Sequence, residues 1–533
     1  MANNPVDVLI VGAGASAAAF AWSLADTRMN ILCLEQGGWM KPSEYPSNFQ
    51  DYEVRAMRDF ATDPNVRKRP EDYPINASQS PISPVMFNAV GGSTIQWAAH
   101  FPRLEPDDFR VRTTDGVADD WPIGFDTLAP FFDLNDKMMG VSGLAGNPMS
   151  PPRNPPMPPL PLGKVGNALA RGFEEMGWHW WPSDAAIATT EYEGRAPCIN
   201  LSPCLSGCAQ GAKASTDITY WPLAQRRGVE IRTGCRVREV TIGPDGKADG
   251  VLYYDADGAL HEQKAEIVVL ACNGIGTPRL LLNSVSNQFP NGLANRSGMV
   301  GKNLMFHPCG VTLGVFEQEL DHRGPIGCSL LSHEFYPSDP SRGFVRGYSF
   351  EALRGFGPVQ TAMMGMQRGT VGWGKQHHAG YRRLFNRTAG LLTMTEDLPD
   401  PQNTVTLDPG LKDAHGIPAP KITYKLSDNT RDMIAHGKAR ATEVLKAAGA
   451  SEITALDLMP GAGWHLMGTA RMGNDPESSV VNAWGRSHDV KNLFIIDGSL
   501  FVTSGAVNPT ATIQALALYV ADAIKKNIDH LFD

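Results

Sequence analysis

The sequence has no run that approaches the eighteen or more apolar residues a membrane-spanning helix requires. It also lacks the basic leader and cleavage site of a secretory peptide: Met1-Ala2-Asn3-Asn4-Pro5 runs into a short apolar stretch and then a glycine turn. These two absences predict a chain that is soluble by itself unless a partner carries it elsewhere. Positive charge is not in excess either. With 47 basic against 56 acidic residues the net charge is -9, which argues against a nucleic-acid partner. Cysteine is sparse at eight residues. Cys33, Cys235, Cys272, Cys309 and Cys328 are solitary, as expected of reduced, buried thiols. Glycine (54) and proline (40) are plentiful, so turns and long loops are expected rather than a helical bundle. A chain of 533 residues exceeds what one core organises, and two domains follow.

What is present begins at the N-terminus. Val6 to Val11 reads as a buried strand, Gly12-Ala13-Gly14-Ala15-Ser16-Ala17 as a glycine turn, and the alanine-rich stretch to Leu24 as a helix. Gly12 permits the tight turn, Gly14 lets backbone approach a pyrophosphate, and Ala17 is small enough for close helix–strand contact. The helix start then faces the phosphates. A second strand, Met29 to Leu34, ends at Glu35, placed to accept hydrogen bonds from ribose hydroxyls. This fingerprint signals a dinucleotide without separating FAD from NAD.

A further glycine turn, Val90-Gly91-Gly92-Ser93-Thr94, offers backbone amides to a diphosphate or a flavin edge, or is an ordinary loop. Met149 to Leu162 holds seven prolines and reads as an extended connector. Strands are expected over Val229–Val240, Gly250–Asp255 and Ala265–Ala271, the last feeding a turn and a helix from Arg279 to Ser284. Beyond residue 311 the texture shifts to short mixed segments: Thr312–Phe316, Gly343–Ser349, Leu391–Glu396 and Ile422–Lys425. These predict an antiparallel platform, and a helix follows over Arg431–Ala447.

Cys198, Cys204 and Cys208 stand apart, spaced x5 and x3 in a loop marked by two prolines and Gly207. Zinc would want a fourth ligand, for which Asp217 is one candidate. A disulfide with one free thiol, inert thiols, and a three-thiolate iron–sulfur cluster relaying single electrons are the other readings.

Near the C-terminus, Gly463-Trp464-His465-Leu466-Met467-Gly468-Thr469 is dense in residues that packing alone would not select. Asp497-Gly498 follows a strand, and Asn508-Pro509-Thr510 opens a helix with Ile513, Leu516, Val520 and Ile524 on one face. That helix start presents N–H groups to a group gaining negative charge. Removing a hydride from an alcohol also needs a proton acceptor. A histidine, with an ordinary pKa near ~6.5, is suited to that role. His465 is the candidate base and Asn508 the residue that orients the hydroxyl. His100, His307, His436 and His488 sit in no comparable sequence constellation.

Over nearly its whole length the chain resembles the glucose–methanol–choline oxidoreductase family. The matching pieces are Gly12-Ala13-Gly14 with Glu35, Val90-Gly91-Gly92, Asp120-Trp121-Pro122, Gly276-Thr277-Pro278, and Val300-Gly301-Lys302-Asn303-Leu304 with His307-Pro308. His465 with Gly468-Thr469, and Asp497-Gly498 with Asn508-Pro509, complete the series. The resemblance implies FAD and an α/β FAD-binding Rossmann-like domain with an α+β substrate domain built on an antiparallel sheet. It places residues 1–40, 80–110, 225–310 and 460–533 in the first domain and 311–459 in the second. Residues 41–79 and 111–224 cover and connect them. FAD contacts are expected from Gly12, Gly14, Ala17, Glu35, Gly91, Gly92, Ser93, Asp497, Gly498, Pro509 and Thr510. Gln96, near the position of a tethering histidine in some members, implies non-covalent FAD. Within the family the chain looks most like catalytic subunits of bacterial glucose, gluconate and glucoside 3-dehydrogenases. Some of these carry the same cysteine spacing, which implies a 3Fe-4S cluster at Cys198, Cys204 and Cys208. It also implies a sugar or glycoside substrate (ring C3 included), a cytochrome or other acceptor, and a small accessory subunit. The competing functions are an oxidase using dioxygen and a non-catalytic interaction subunit.

Overall fold

The computed structural model describes residues 4–325, 327 and 329–531; Cys328 lies outside them. The other seven cysteines are free thiols, with Cys33, Cys235 and Cys309 buried.

The strand Val6–Val11 is apolar along most of its length because it lies inside a sheet, parallel to Ile31–Leu34 on one side and Leu260–Leu270 on the other. The strand Leu260–Leu270 changes partners along its length. Its polar first half pairs antiparallel with Ala248–Tyr254. Its apolar second half runs parallel between Val6–Val11 and Leu493–Ile495. Glu230–Arg232 and Arg236–Ile242 close opposite edges of this seven-stranded sheet. The single strand expected over Val229–Val240 is therefore two, parted at Gly234, whose φ of +67° turns the chain from one edge to the other. The helix expected from Arg279 begins earlier, as Asn273–Asn283. The Asn273 side chain accepts hydrogen bonds from the amides of Ile275 (2.9 Å) and Gly276 (3.2 Å), as a helix cap does. Helices Ala15–Leu24 and Thr510–Lys526 pack on each other, and the small residues of the first permit the approach.

The second sheet is antiparallel and six-stranded, in the order Glu452–Leu456, Cys309–Val315, Thr388–Thr395, Tyr348–Leu353, Leu330–Ser332, Trp181–Pro182. Alternation along these strands decides what each face does. Phe350, Ala352 and Leu391 pack with Phe173, Met433, Val444 and Leu445 of the covering helices Gly163–Met176 and Asp428–Ala447. Each such buried leucine or phenylalanine contributes roughly 1.5–3 kcal/mol. Val311, Glu351, Leu353, Leu392 and Met394 point the other way, into a cavity. Ile422–Lys425 does not join this platform: the strand there, Pro418–Thr423, belongs to a three-stranded sheet with Thr404–Lys412 and Asn76–Gln79.

Candidate active site

One cavity of about 690 Å³ runs from the first glycine turn to the platform. Gly12, Gly14, Glu35, Gly92 and Ser93 line it at one end; His465, Asp497, Gly498, Asn508, Pro509 and Thr510 line it further along. Gly12 has φ +92°, and a Cβ there would meet the Ala271 carbonyl at 2.7 Å. A Cβ on Gly14 would meet no protein atom within 4 Å, so this backbone is open to a ligand. Gly92 closes against Gly14, and the Gly91 amide donates to the Ala13 carbonyl at 2.9 Å. The two glycine turns are thus one cradle. Glu35 accepts from the amides of Ala13 and Gly37, both at 2.8 Å, and burial raises its pKa. Ala17 is fully buried in its helix, where it serves packing. Asp497 accepts from Asn273, Thr277 and Ser499, holding the turn that carries Gly498. Open backbone at one end, a buried acid beside it and a helix start beyond fit a dinucleotide of FAD's kind. Gln96 also faces the cavity, its amide nitrogen donating to the Phe60 carbonyl at 2.7 Å.

His465 is paired with a residue for which the sequence offered no constellation. Its Nδ1 lies 2.7 Å from Nδ1 of His307. His307 Nε2 in turn lies 2.8 Å from the Gly505 carbonyl and 3.3 Å from that of Ser504. Carbonyls only accept, so the His307 proton is on Nε2 and its Nδ1 is bare. Nδ1 of His465 must then carry a proton and donate. The lone pair of His465 is left on Nε2, the nitrogen available to the cavity that His465 lines. Burial lowers the pKa of both rings, to about 4 for His307 and well below 6.5 for His465, where the neighbouring histidines add to the effect. His465 is therefore neutral near neutrality rather than half-titrated.

Asn508 reaches the same cavity. Its Oδ1 is buried with no partner among the described residues, and Glu351 lines the same cavity. His100, also without a sequence constellation, lines the cavity with Nε2 3.3 Å from Glu351. Glu351, His100 and His307 are the site residues that sequence reasoning missed. A lone acid in the apolar strand Tyr348–Leu353 was the one signal in the chain for the first of them.

Sequence profiles of the GMC oxidoreductase family match residues 159–309 and 399–517, and that of an NAD(P)-binding Rossmann-like domain matches 10–69. A 2-methyl-1,2-propanediol dehydrogenase of Mycolicibacterium austroafricanum is 42% identical over 99% of this chain and 97% of its own. The chain belongs to the GMC oxidoreductase family. GMC oxidoreductases of this kind are flavin enzymes acting on CH–OH groups. A second relative, the fructose dehydrogenase large subunit of Gluconobacter japonicus, is 30% identical over 98% of both chains. Among solved structures, pyridoxine 4-oxidase from Mesorbium loti (TM-score 0.65, 17% identity, 98% and 99% covered) shares this GMC fold. So does an Aspergillus oryzae RIB40 formate oxidase (TM-score 0.66, 14% identity, 100% of both).

The cysteine loop lies apart from this arrangement. Cys198 and Cys208 both pack against Met157, Ala188 and Ala212. Lys213 Nζ holds the Cys204 carbonyl at 2.6 Å together with those of Ile95 and Trp97. Among the described residues no group of three His, Cys, Asp or Glu side chains is placed to hold a metal, so the three thiols as arranged do not fit the 3Fe-4S cluster. Asp217, the candidate fourth zinc ligand, is nine-tenths buried beside Gly91, away from any such group. No described helix is long and apolar enough to cross a membrane.

Proposed function

We propose that this chain oxidises a carbinol carbon of a small, partly apolar polyol, with His465 as the base. The observation that carries this is the proton order Gly505–His307–His465, which leaves an unprotonated Nε2 at the cavity. FAD, held non-covalently along Gly12, Gly14, Glu35, Gly91, Gly92, Ser93, Gly498, Pro509 and Thr510, supplies the hydride acceptor. His465 Nε2 takes the hydroxyl proton, and Asn508 orients the oxygen it leaves. Positive charge arising on His465 is shared with His307 through the Nδ1–H bond. The apolar walls exclude water from the exchange.

The substrate side supports a branched aliphatic diol. Val311, Leu313, Leu392, Met394 and Trp464 offer apolar wall, and Glu351 with His100 offers polar contact for a second hydroxyl. The relative at 42% identity is named for such a diol. A ring hydroxyl of a sugar, C3 included, is the second reading, favoured by the fructose dehydrogenase relative. We take the acceptor to be a redox partner such as a cytochrome, not dioxygen, because both of these relatives are named dehydrogenases. The placement of Cys198, Cys204 and Cys208 lends no support to relaying electrons through a cluster, and no step is assigned to them. Branched 1,2-diols, linear diols, pyranoses and glycosides assayed with an artificial acceptor, with products identified, test the reading. The expected result is highest kcat/KM on a branched diol and little peroxide. Oxidation confined to sugars would overturn the substrate class, and iron with acid-labile sulfide in the purified protein would overturn the reading of the cysteines.

A further inference from the structure

The carbonyl that sets the proton on His307 is one end of the Gly505–Ala506 peptide group, and the other end of that group is held as well. His307 Nε2 donates to the Gly505 oxygen at 2.8 Å, and the Ala506 N–H donates to the Tyr336 hydroxyl oxygen at 3.1 Å. A trans peptide is planar, so its C=O and N–H point in opposite directions and turn together. Gly505, at φ +61°, has no side chain to resist that turning. Ser504 Oγ lies 3.0 Å from the Gly505 oxygen, but its single proton also has the Asp397 carbonyl at 2.9 Å. The N–H end is where the plane is gripped.

Each bond behind that grip has a fixed direction. Asp108 Oδ2 meets the Tyr336 hydroxyl at 2.6 Å and the Glu105 amide at 2.7 Å, while Oδ1 meets the Arg346 guanidinium. A carboxylate facing three donors only accepts, so Tyr336 gives its proton to Asp108. The phenol oxygen then offers lone pairs to the peptide: it accepts an N–H and repels a C=O. Turned over, the peptide would set its carbonyl against those lone pairs and its N–H against His307. His307 Nε2 would become the acceptor, its proton would move to Nδ1, and His465 would carry its own proton on Nε2. The Ser504 carbonyl, at 3.3 Å, is the weaker acceptor on His307 Nε2 and does not outweigh a facing N–H. Asp108, His307, Tyr336 and Ala506 are each 5% exposed or less, so bulk water does not replace a lost partner.

We infer that Tyr336 is a positioning residue for the base. Backed by Asp108 and Arg346, it fixes the Gly505–Ala506 peptide in the one orientation that leaves His465 Nε2 bare. This rests on the reading of His465 as base and adds to it what decides the tautomer. Tyr336 and Arg346 come from the substrate platform side and Asp108 from the segment that follows the second glycine turn, so the proton order depends on how the two regions meet.

The test reads the tautomer directly, near neutral pH, in holoenzyme labelled with 15N-histidine, whose bare and protonated ring nitrogens resonate apart. The His465 signals are those that vanish in His465→Asn. In the natural protein Nδ1 should be protonated and Nε2 bare. Tyr336→Phe should show both tautomers at His465, with flavin reduction by a diol about two- to tenfold slower, the population shift that one lost hydrogen bond commands. Ser349→Ala is the matched loss, since Ser349 Oγ donates to the Ala506 carbonyl at 2.6 Å, in the next peptide group of the same loop. It should leave the His465 tautomer as in the natural protein. The natural tautomer alone in Tyr336→Phe would overturn the inference. So would an equal change in Ser349→Ala, which would mean a loosened loop rather than a fixed peptide. A natural protein with the His465 proton on Nε2 would overturn it without any variant. If no alcohol reduces the flavin, the functional reading fails while the tautomers still judge the role of Tyr336.

Discussion

The two ends of the cavity are built on opposite plans. The cradle around Gly12, Gly14 and Gly92 is backbone, made where the chain has no side chains, and its parts are mostly close in sequence. The other end is side chain: His100, His307, Glu351, His465 and Asn508 come from five segments and meet only in the folded protein. A cradle of this sort fails when atoms are added. A site of the second sort fails when a proton is moved.

The largest expected effect tests the second plan. His465→Asn should slow alcohol-driven flavin reduction by about 10²- to 10⁴-fold while flavin content, read from absorbance, stays normal. A variant that reduces its flavin at the natural rate would erase the distinction between the two ends. The first plan is tested by two glycines of unequal surroundings. Gly12→Ala forces a Cβ against the Ala271 carbonyl at a positive φ and should cost about 1–3 kcal/mol of stability, seen as a lowered Tm. Gly14→Ala meets no protein atom. The flavin-free protein should melt within about 0.5 kcal/mol of the natural one, while FAD binds at least about tenfold more weakly, a loss of about 1.4 kcal/mol. Equal melting shifts for the two would mean that Gly14 is structural.

His307 separates proton order from packing. His307→Leu should lower flavin reduction at least about tenfold. His307→Gln, which can donate to Gly505 and accept from His465, should recover part of that loss. Equal rates for the two variants would assign His307 to packing alone. The smallest effect is in acid. Because burial lowers the His465 pKa, the neutral ring persists as pH falls through 6.5, and its loss begins only further down. An acid limb at 6.5 or above, in the pH dependence of flavin reduction, would contradict the buried, neutral pair.

The cradle was legible in the sequence because its chemistry is local. A strand, a glycine turn, a helix and Glu35 lie within about thirty residues, and covalent geometry nearly dictates how they meet. His465 and Asn508 were legible as candidates for a similar reason, the second standing at a helix start. Glu351 was hidden in Tyr348-Ser349-Phe350-Glu351-Ala352-Leu353, where alternation marks two faces without saying what either one meets. His307 was hidden too, since its partner lies 158 residues away. The cysteine loop was legible as a spacing, not as a site. A spacing of x5 and x3 permits three thiols to converge; among the described residues no metal-holding group forms there, Cys198 and Cys208 pack around Met157, and Lys213 grips the Cys204 carbonyl.

Taken alone, the order of residues determined the dinucleotide cradle and the two kinds of sheet, because each rests on contacts between chain neighbours or on period-two and period-3.6 patterning. Only tertiary structure decided which nitrogen of His465 is bare and which side chains share its cavity. The first depends on a hydrogen bond between residues 158 apart, inside a cavity whose burial sets the proton's place.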